Sequence, residues 1–153
     1  MSSRKEKADR RKRAAAEVAD RLHSASIHLL RRVRKQDVAM GQGPARLSAL
    51  SVLVFGGPMS LGQLAAAEQV RPPTMTRIVT GLERAKLAQR EADPGDARRL
   101  QIRATAKGIQ LMQRGRKARI EYLAGHLARL RGEEISSLAD AVKIMERLLS
   151  EWK

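Results

Sequence analysis

Hydrophobic residues recur at helical spacing over most of this chain, in segments separated by glycine and proline. The first pattern runs from Ala14 to about Gln36 and the second from about Arg46 to Phe55. Between them lies Gly41-Gln-Gly-Pro44, and Gly56-Gly-Pro58 follows the second pattern. Both motifs favour the end of a helix. The chain therefore opens with two predicted helices.

Two shorter helices are predicted next, separated by a tight turn at residues 68–70. Ser60 can cap the first of them, with Gln63 at the position of the reciprocal capping-box partner. The second begins at Pro72, which suits a first helical turn. Its apolar side chains recur at helical spacing and predict one buried stripe, formed by Met75, Ile78, Val79, Leu82 and Ala85.

A change to alternating polarity follows this pair of helices. Residues 87–91 and 99–103 are candidate strands, and Leu100 and Ile102 alternate with basic residues in the second. We expect Leu100 and Ile102 to hold the hairpin on the core. Pro94-Gly95 suits the centre of a type II turn between the strands. Thr105 is a predicted N-cap for a returning helix.

The last segment has a heptad repeat of apolar residues at alternating spacings of three and four. Its positions are Ile135, Leu138, Val142, Met145, Leu149 and Trp152. This face and that of the first helix could form either an intramolecular core or a dimer interface. We favour the dimer, since a compact module between them has its own core and cannot cover two long apolar helices.

Charge narrows the possible partners. The 153 residues contain 31 Lys plus Arg against 16 Asp plus Glu, giving a net charge of +15. Such an excess favours a polyanionic partner, above all nucleic acid. An acidic membrane surface and a merely soluble basic protein are the competing interpretations. Residues 1–13 are interpreted as a mobile basic arm or the frayed start of a helix, with a solubilising tail as the alternative.

Several classes of site are excluded or unsupported. The chain has no cysteine, which excludes disulfides and thiolate metal sites. His126 stands alone, so we predict no metal and no cofactor. No nucleophile–base pair, paired carboxylates or phosphate loop indicates an enzyme. No apolar run is long enough to cross a bilayer, so we expect no membrane association and a cytoplasmic location.

The helix from Pro72 has the threonine- and arginine-bearing surface that sequence-specific binding to duplex DNA requires. Threonines can approach bases or phosphates, and arginine can contact guanine through two donors or clamp a phosphate. Free N–H groups at the start of the helix are expected to add phosphate affinity. The alternative is an ordinary solvated helix face. The candidate DNA-binding residues of this segment are Arg71, Pro73, Thr74, Thr76, Arg77 and Arg84.

The predicted hairpin supplies a second basic contact. Arg98 lies near its tip, where an arginine can enter the minor groove, and Arg99 begins the basic strand. Asp96 either braces Arg98 or Arg77 through a charge-assisted hydrogen bond or serves the turn. We assign Asp93 to the turn alone. Arg98, Arg99 and Asp96 therefore join the candidate DNA-binding residues.

These elements predict a mainly α fold with a small β-hairpin wing, a winged helix-turn-helix flanked by N- and C-terminal dimerisation helices. Residues 14–153 would form one domain after the arm at 1–13. Within it, residues 46–108 form the DNA-binding lobe. Residues 14–42 and 109–153 form the dimerisation helices.

The stretch from about Leu47 to Gly108 resembles the MarR family of bacterial transcription regulators. The motifs that carry the resemblance are Ser60-Leu-Gly-Gln-Leu-Ala65, Val70-Arg-Pro-Pro-Thr-Met-Thr-Arg77, Leu82-Glu83, Asp93-Pro-Gly-Asp-Ala-Arg98 with Ile102, and Thr105-Ala-Lys-Gly108. Leu130-Arg-Gly-Glu-Glu134 is similar to the family's usual start of the last helix. Arg71 replaces a small capping residue, and Ala104 replaces a leucine, which should loosen packing under the wing.

The resemblance implies a homodimer that binds a pseudo-palindromic DNA operator and blocks transcription. It also implies a small ligand, often phenolic or anionic, between the dimer helices and the DNA-reading lobe. Near the expected position of that pocket lie His23, His28, Arg31 and Arg46. A histidine on a helix is, however, as readily a surface or core residue. The alternative function is a nonspecific basic DNA- or RNA-binding protein of the nucleoid type.

Overall fold

A computed structural model describes residues 2–93 and 95–152 of the chain, except for the side chains of residues 2–4, 97 and 98. Six α-helices and one hairpin make up the described fold. They are α1 (Ser2–Arg34), α2 (Pro44–Gly56), α3 (Leu61–Ala67), α4 (Pro72–Arg84), β1 (Ala88–Asp93), β2 (Asp96–Ala104), α5 (Ala106–Leu127) and α6 (Gly132–Glu151). The predicted mainly α class with a β-hairpin wing is confirmed.

The first helix is longer than its apolar pattern. α1 begins at Ser2, so the segment expected as a basic arm is helical in the structure, as its frayed-helix interpretation allowed. It ends at Arg34 and continues as a 3-10 segment, Lys35–Met40. Gly41 then takes a left-handed conformation with φ of 64°, which glycine adopts without the steric cost that a Cβ would bring. The Gly41-Gln-Gly-Pro44 motif thus separates α1 from α2 as predicted.

The hydrophobic core lies in the middle of the chain. Its fully buried large side chains come from α2, α3, α4 and β2, and they are Leu50, Leu64, Met75, Val79, Leu82 and Ile102. α3 starts with the predicted capping box: Ser60 Oγ accepts from Gln63 N, and Gln63 Oε1 accepts from Ser60 N. Helices α2, α3 and α4 therefore form one compact helix-turn-helix unit.

The hairpin is antiparallel, and its base is attached to this core. Ile102 pairs with Met59 through two backbone hydrogen bonds of 2.8 and 3.2 Å and is 1% exposed. Leu100 is 59% exposed, so the expectation that it holds the wing on the core is wrong. The base of the hairpin, with Ala88 and Ile102, is buried in the core, and the hairpin extends beyond the core past Ile102. Ala104, expected to loosen packing, is itself buried in the core.

Helix α5 leaves the lobe through a close backbone contact. Thr105 Oγ1 accepts from Gly108 N at 3.1 Å, which confirms the predicted N-cap. Gly108 lies so close to Leu87 that a Cβ on it would be 2.2 Å from the Leu87 carbonyl oxygen. The last helix, α6, starts at the predicted motif. The guanidinium of Arg131 donates to the Glu134 carboxylate at 3.3 Å and its backbone N–H donates at 2.9 Å, and these two hydrogen bonds, the guanidinium one first, lower the pKa of Glu134.

The terminal helices bury little of their apolar surface within the chain. In α1, Val18, Leu22 and Leu29 are exposed. In α6 every heptad residue except the half-buried Met145 is exposed, and Trp152, just beyond the helix end, is 76% exposed. The intramolecular alternative, in which these two faces form one core, is not what the structure shows.

Among the described residues, no single helix is long and apolar enough to cross a membrane. The helical segments 5–40 and 44–56 reach the required length and hydropathy only when they are taken together, and the chain bends by 93° between them.

Candidate nucleic-acid interface

Helix α4 separates its apolar and polar residues cleanly. Met75, Val79 and Leu82 are buried, and Ile78 and Ala85 pack against the same core half-buried. This confirms the predicted stripe. The six basic, threonine and proline candidates on or before the helix, Arg71, Pro73, Thr74, Thr76, Arg77 and Arg84, are all exposed. Core packing therefore fixes the helix and leaves its polar face available to a groove.

The centre of that polar face is occupied by residues three or four positions apart. At 100° per residue, Pro73, Arg77 and Arg84 lie opposite the buried stripe. Thr80 shares their face and was not among the residues that we assigned to DNA. Its spacing of three residues from Arg77 was the signal that could have identified it. Thr74 and Thr76 lie on the two flanks of this row.

The two threonines differ in the hydrogen bonds that remain available to them. Thr76 Oγ1 donates to the carbonyl of Pro72 at 3.0 Å, so its hydroxyl proton is already used. Thr76 can still accept a hydrogen bond or place its methyl against a thymine methyl. Thr74 is exposed and retains both donor and acceptor roles.

The start of α4 does not offer the free N–H groups that we expected. Pro72 and Pro73 have no N–H, and the N–H groups of Thr74 and Met75 donate to the carbonyl of Arg71 at 3.0 and 3.2 Å. The expectation that this helix terminus adds phosphate affinity is therefore wrong. Arg71, which provides no side-chain cap, offers its guanidinium instead.

Gly81 gives α4 a close neighbour from α2. A Cβ at Gly81 would lie 3.0 Å from Nε of Arg46, so this side chain lies across the helix at that point. Arg46 Nη1 also donates to Gln42 Oε1 at 3.0 Å. The small residue in α4 thus accommodates an arginine side chain.

The hairpin tip is organised by its two aspartates. Asp93 Oδ1 accepts from Gly95 N at 2.8 Å, as its turn assignment predicted, and Gln101 donates to the other carboxylate oxygen. These hydrogen bonds, the Gly95 one first, hold the pKa of Asp93 below its ordinary value of 3.8. The predicted type II turn includes Pro94, which lies outside the described residues.

Asp96 forms an ion pair within the wing. Its Oδ2 lies 3.3 Å from Nε of Arg99, and both side chains are substantially exposed. The partners that we expected for Asp96 were Arg98 and Arg77, and the side chain of Arg98 lies outside the described part of the structure. The observed pair therefore adds Arg99 as a residue that Asp96 orients.

A further ion pair joins the wing to α4, the candidate recognition helix. Arg90 on β1 pairs with Glu83 near the end of α4, and across the hairpin Arg103 pairs with Glu91. Sequence spacing alone gave no indication of these partners, because β1 returns past α4 only in the folded lobe. The Arg90–Glu83 pair helps to fix the angle between α4 and the wing, which carry the candidate DNA contacts, whereas Arg103–Glu91 joins the two strands of the wing.

The residues expected near a ligand lie apart from the cavity that the structure forms. His23, His28 and Arg31 are exposed on α1, and Arg46 is exposed on α2. A cavity of about 670 Å³ lies instead between the end of α1, the 3-10 segment, α2 and α5. Its lining includes Leu30, Met40, Leu47 and Met112, together with Arg34, Glu68 and the ion pair of Asp37 with Arg119. None of the four expected residues lines it.

The described residues contain no cluster of three or more His, Asp or Glu side chains arranged to hold a metal ion. The exposed face of α4 carries Arg77 and Arg84, and the hairpin carries Arg90, Arg99 and Arg103.

A helix-turn-helix with an exposed basic recognition helix and an arginine-bearing wing defines a DNA-binding transcriptional regulator of the winged helix-turn-helix class. The family model described as MarR family matches residues 44–100. An HTH-type transcriptional regulator of Mycobacterium bovis is 35% identical over 136 residues, covering 89% of this chain and 95% of the relative. The chain belongs to the MarR family.

Solved structures agree with this assignment. A transcriptional regulator of Thermotoga maritima aligns with a TM-score of 0.75 and 27% identity, covering 85% of this chain and 94% of its own. A mutant of the Staphylococcus aureus regulator MepR, bound to an oligodeoxyribonucleotide, aligns with a TM-score of 0.66 and 23% identity, covering 83% and 94%. At that identity the second similarity concerns the fold alone.

Proposed function

We propose that this regulator acts as a homodimeric repressor that binds a pseudo-palindromic operator and is released from it by a small molecule. The observation that carries the proposal is the division of the exposed surface into two kinds. The lobe exposes a basic recognition helix, whereas α1 and α6 expose apolar faces that have no partner within the described chain.

Exposed apolar faces of this extent favour burial against a second copy. Soluble monomers rarely expose long contiguous apolar patches, and α6 exposes large side chains over its whole length. Pairing the terminal helices of two copies would place two winged lobes on one assembly. A symmetric dimer presents two recognition helices to half-sites separated by about 34 Å or a multiple of it. Repression then follows if the operator overlaps a promoter.

Sequence-specific recognition is assigned to Arg77 and the wing arginine Arg98. We expect Arg77→Ala and Arg98→Ala each to weaken operator binding by about 1–3 kcal/mol, roughly fivefold to 150-fold. Genomic fragments retained by the protein would first supply the operator and its half-site spacing. Gel-shift titrations would then compare each variant with the parent chain. Lys143→Ala, an exposed cation on α6, is the control and should bind as the parent does.

Parent-like binding by both arginine variants would contradict the assignment of these side chains. Equal affinity of the parent for operator and scrambled duplex, with a steep fall in salt, would instead support the nonspecific nucleoid-type alternative.

The cavity between α1, the 3-10 segment, α2 and α5 supports release by a ligand. Its walls combine apolar side chains with two cations and two carboxylates, and Arg34 is the cation outside the Asp37–Arg119 ion pair, so we assign it to the anionic end of a small aromatic ligand. Arg119 joins α5 to the 3-10 segment through Asp37, and Met40 packs on Gly115 at the same joint. A ligand bound here would change how the DNA lobe is held against the terminal helices.

Titration of aromatic carboxylates against a preformed operator complex tests this release. We expect at least one of them to lower operator affinity about tenfold, which corresponds to about 1.4 kcal/mol of coupling between the sites. Ser51→Trp should fill the cavity and abolish the response while the ligand-free chain still binds operator, because Ser51 lines the cavity and lies outside the buried core. A response that persists in Ser51→Trp would place the effector elsewhere.

A further inference from the structure

The first turns of α1 carry a concentration of positive charge that the winged lobe does not include. Residues 5–13 contain six Lys or Arg and two Asp or Glu, a net charge of 6 − 2 = +4. All nine side chains are exposed. This segment, which we call the basic segment, is thus the N-terminal end of a 33-residue helix.

The cations of the basic segment are not engaged by the rest of the described fold. No ion pair joins any of them to another of the side chains that the structure describes. α1 packs on the 3-10 segment and on α5. Arg13 and Arg34 are 21 positions apart, about 32 Å at 1.5 Å per residue, which separates the segment from the joint with the DNA lobe.

The basic segment also lies beyond the apolar face of its own helix. That face follows a heptad spacing through Ala15, Val18, Leu22 and Leu29. One turn before Ala15 the same face continues with Arg11, a charged side chain. An apolar partner for α1 would therefore end near Ala15, and the basic segment needs a polar, anionic partner.

The chemistry of the segment distinguishes between anionic partners. A helix that binds lipid places large apolar side chains beneath its cations, and the basic segment contains Ala8 as its one apolar residue. Phosphate groups of a nucleic acid need no such apolar contact, since counterion release alone supplies the binding free energy. We propose that residues 5–13 form a second DNA-binding surface, which contacts the phosphates of duplex DNA without regard to base sequence.

This surface adds to the DNA binding proposed for the winged lobe, and its test uses duplex without an operator. In the full chain, Lys5→Gln, Lys7→Gln, Arg11→Gln and Lys12→Gln would remove four cations and keep helix-compatible side chains. The matched control removes four exposed cations from α5, its C-terminal turn and α6 by Arg114→Gln, Arg116→Gln, Arg129→Gln and Lys143→Gln. Both variants lose the same net charge, and circular dichroism would verify equal helix content.

Fluorescence anisotropy with a scrambled duplex over a range of salt concentrations is the measurement. Each phosphate contact contributes about 0.9 to the slope of log K against log salt concentration. We expect the basic-segment variant to lower that slope by about 2–4 and its affinity at 0.1 M salt by at least about tenfold. The control variant should retain the parent slope.

A cysteine-free chain allows a direct second readout. A photocrosslinker attached to Ala8→Cys should form an adduct with duplex DNA, whereas the same reagent on Ala139→Cys, exposed on α6, should not. Equal slopes in the two charge variants, or no adduct at Ala8→Cys, would overturn the proposal. The proposal would also be overturned if the basic-segment variant lost the parent chain's binding to phosphatidylserine vesicles and bound DNA as the parent chain does.

Failure of the inference is separable from failure of the winged-lobe assignment. If Arg77→Ala loses operator preference while the basic-segment variant keeps the parent slope, only the second surface is wrong. If the parent chain binds no duplex, both assignments are wrong.

Discussion

Gly108→Ala should lower the free energy of unfolding by about 3 kcal/mol or more, a loss at the large end of single substitutions. The added Cβ would lie 2.2 Å from the carbonyl oxygen of Leu87 and 3.1 Å from Cδ1 of Leu50. The carbonyl cannot move freely, because it accepts a hydrogen bond from the N–H of Thr105 at 3.0 Å. For a chain of this size, thermal unfolding should show a melting temperature lower by roughly 6–12 °C.

The same helix supplies the matched control. Gly125 is also in α5, and a Cβ there would have no neighbour within 4 Å. We expect Gly125→Ala to raise the free energy of unfolding by roughly 0.5–1 kcal/mol, the usual gain from replacing a helical glycine. If both substitutions shifted urea unfolding by the same amount in the same direction, the close contact at Leu87 would not be what requires Gly108.

Replacing Leu138 and Val142 by glutamate should convert the proposed dimer into a monomer. Burial of each side chain contributes about 1.5–3 kcal/mol, and two carboxylates per protomer would repel across the same interface. The dissociation constant should rise by at least about a thousandfold, which corresponds to about 4 kcal/mol. Sedimentation equilibrium would then detect 17.0 kDa particles in place of 2 × 17.0 = 34.0 kDa.

A charge-matched variant separates the interface from a general effect of charge. Ser136→Glu with Ser150→Glu adds the same two carboxylates to exposed positions of α6 away from the heptad residues. This variant should sediment as the parent chain does. A parent chain that is monomeric at micromolar concentration would contradict the dimer outright. A dimer that survives Leu138→Glu with Val142→Glu would place the interface elsewhere.

Local patterns in the sequence were sufficient for most of the fold. The buried stripe of α4 follows from spacing alone, because helical periodicity places Met75, Val79 and Leu82 on one side. The caps at Ser60 and Thr105 follow from the hydrogen bonds that those side chains offer to nearby N–H groups. Both depend on residues close together in the chain.

Contacts between distant segments were not predictable in this way. The alternation of apolar and basic residues in β2 predicted that Leu100 and Ile102 both face the core. The core ends beneath Ile102, however, and Leu100 is exposed. The position of the cavity depends on Asp37 and Arg119, which are 82 residues apart. A single sequence shows that such residues exist and gives no indication that they meet. The residues expected near a ligand were therefore placed by analogy, three along α1 and Arg46 on α2.

The distribution of buried residues has a consequence for how this chain can change over evolutionary time. Its buried hydrophobic residues, among those the structure describes, all lie between Leu47 and Met112. Mutations in the first and last helices therefore leave the lobe's packing intact. Divergence in those helices can alter which copies assemble, or how a signal is received, while the same lobe is inherited unchanged. Selection can thus adjust control and DNA recognition at separate rates within one chain.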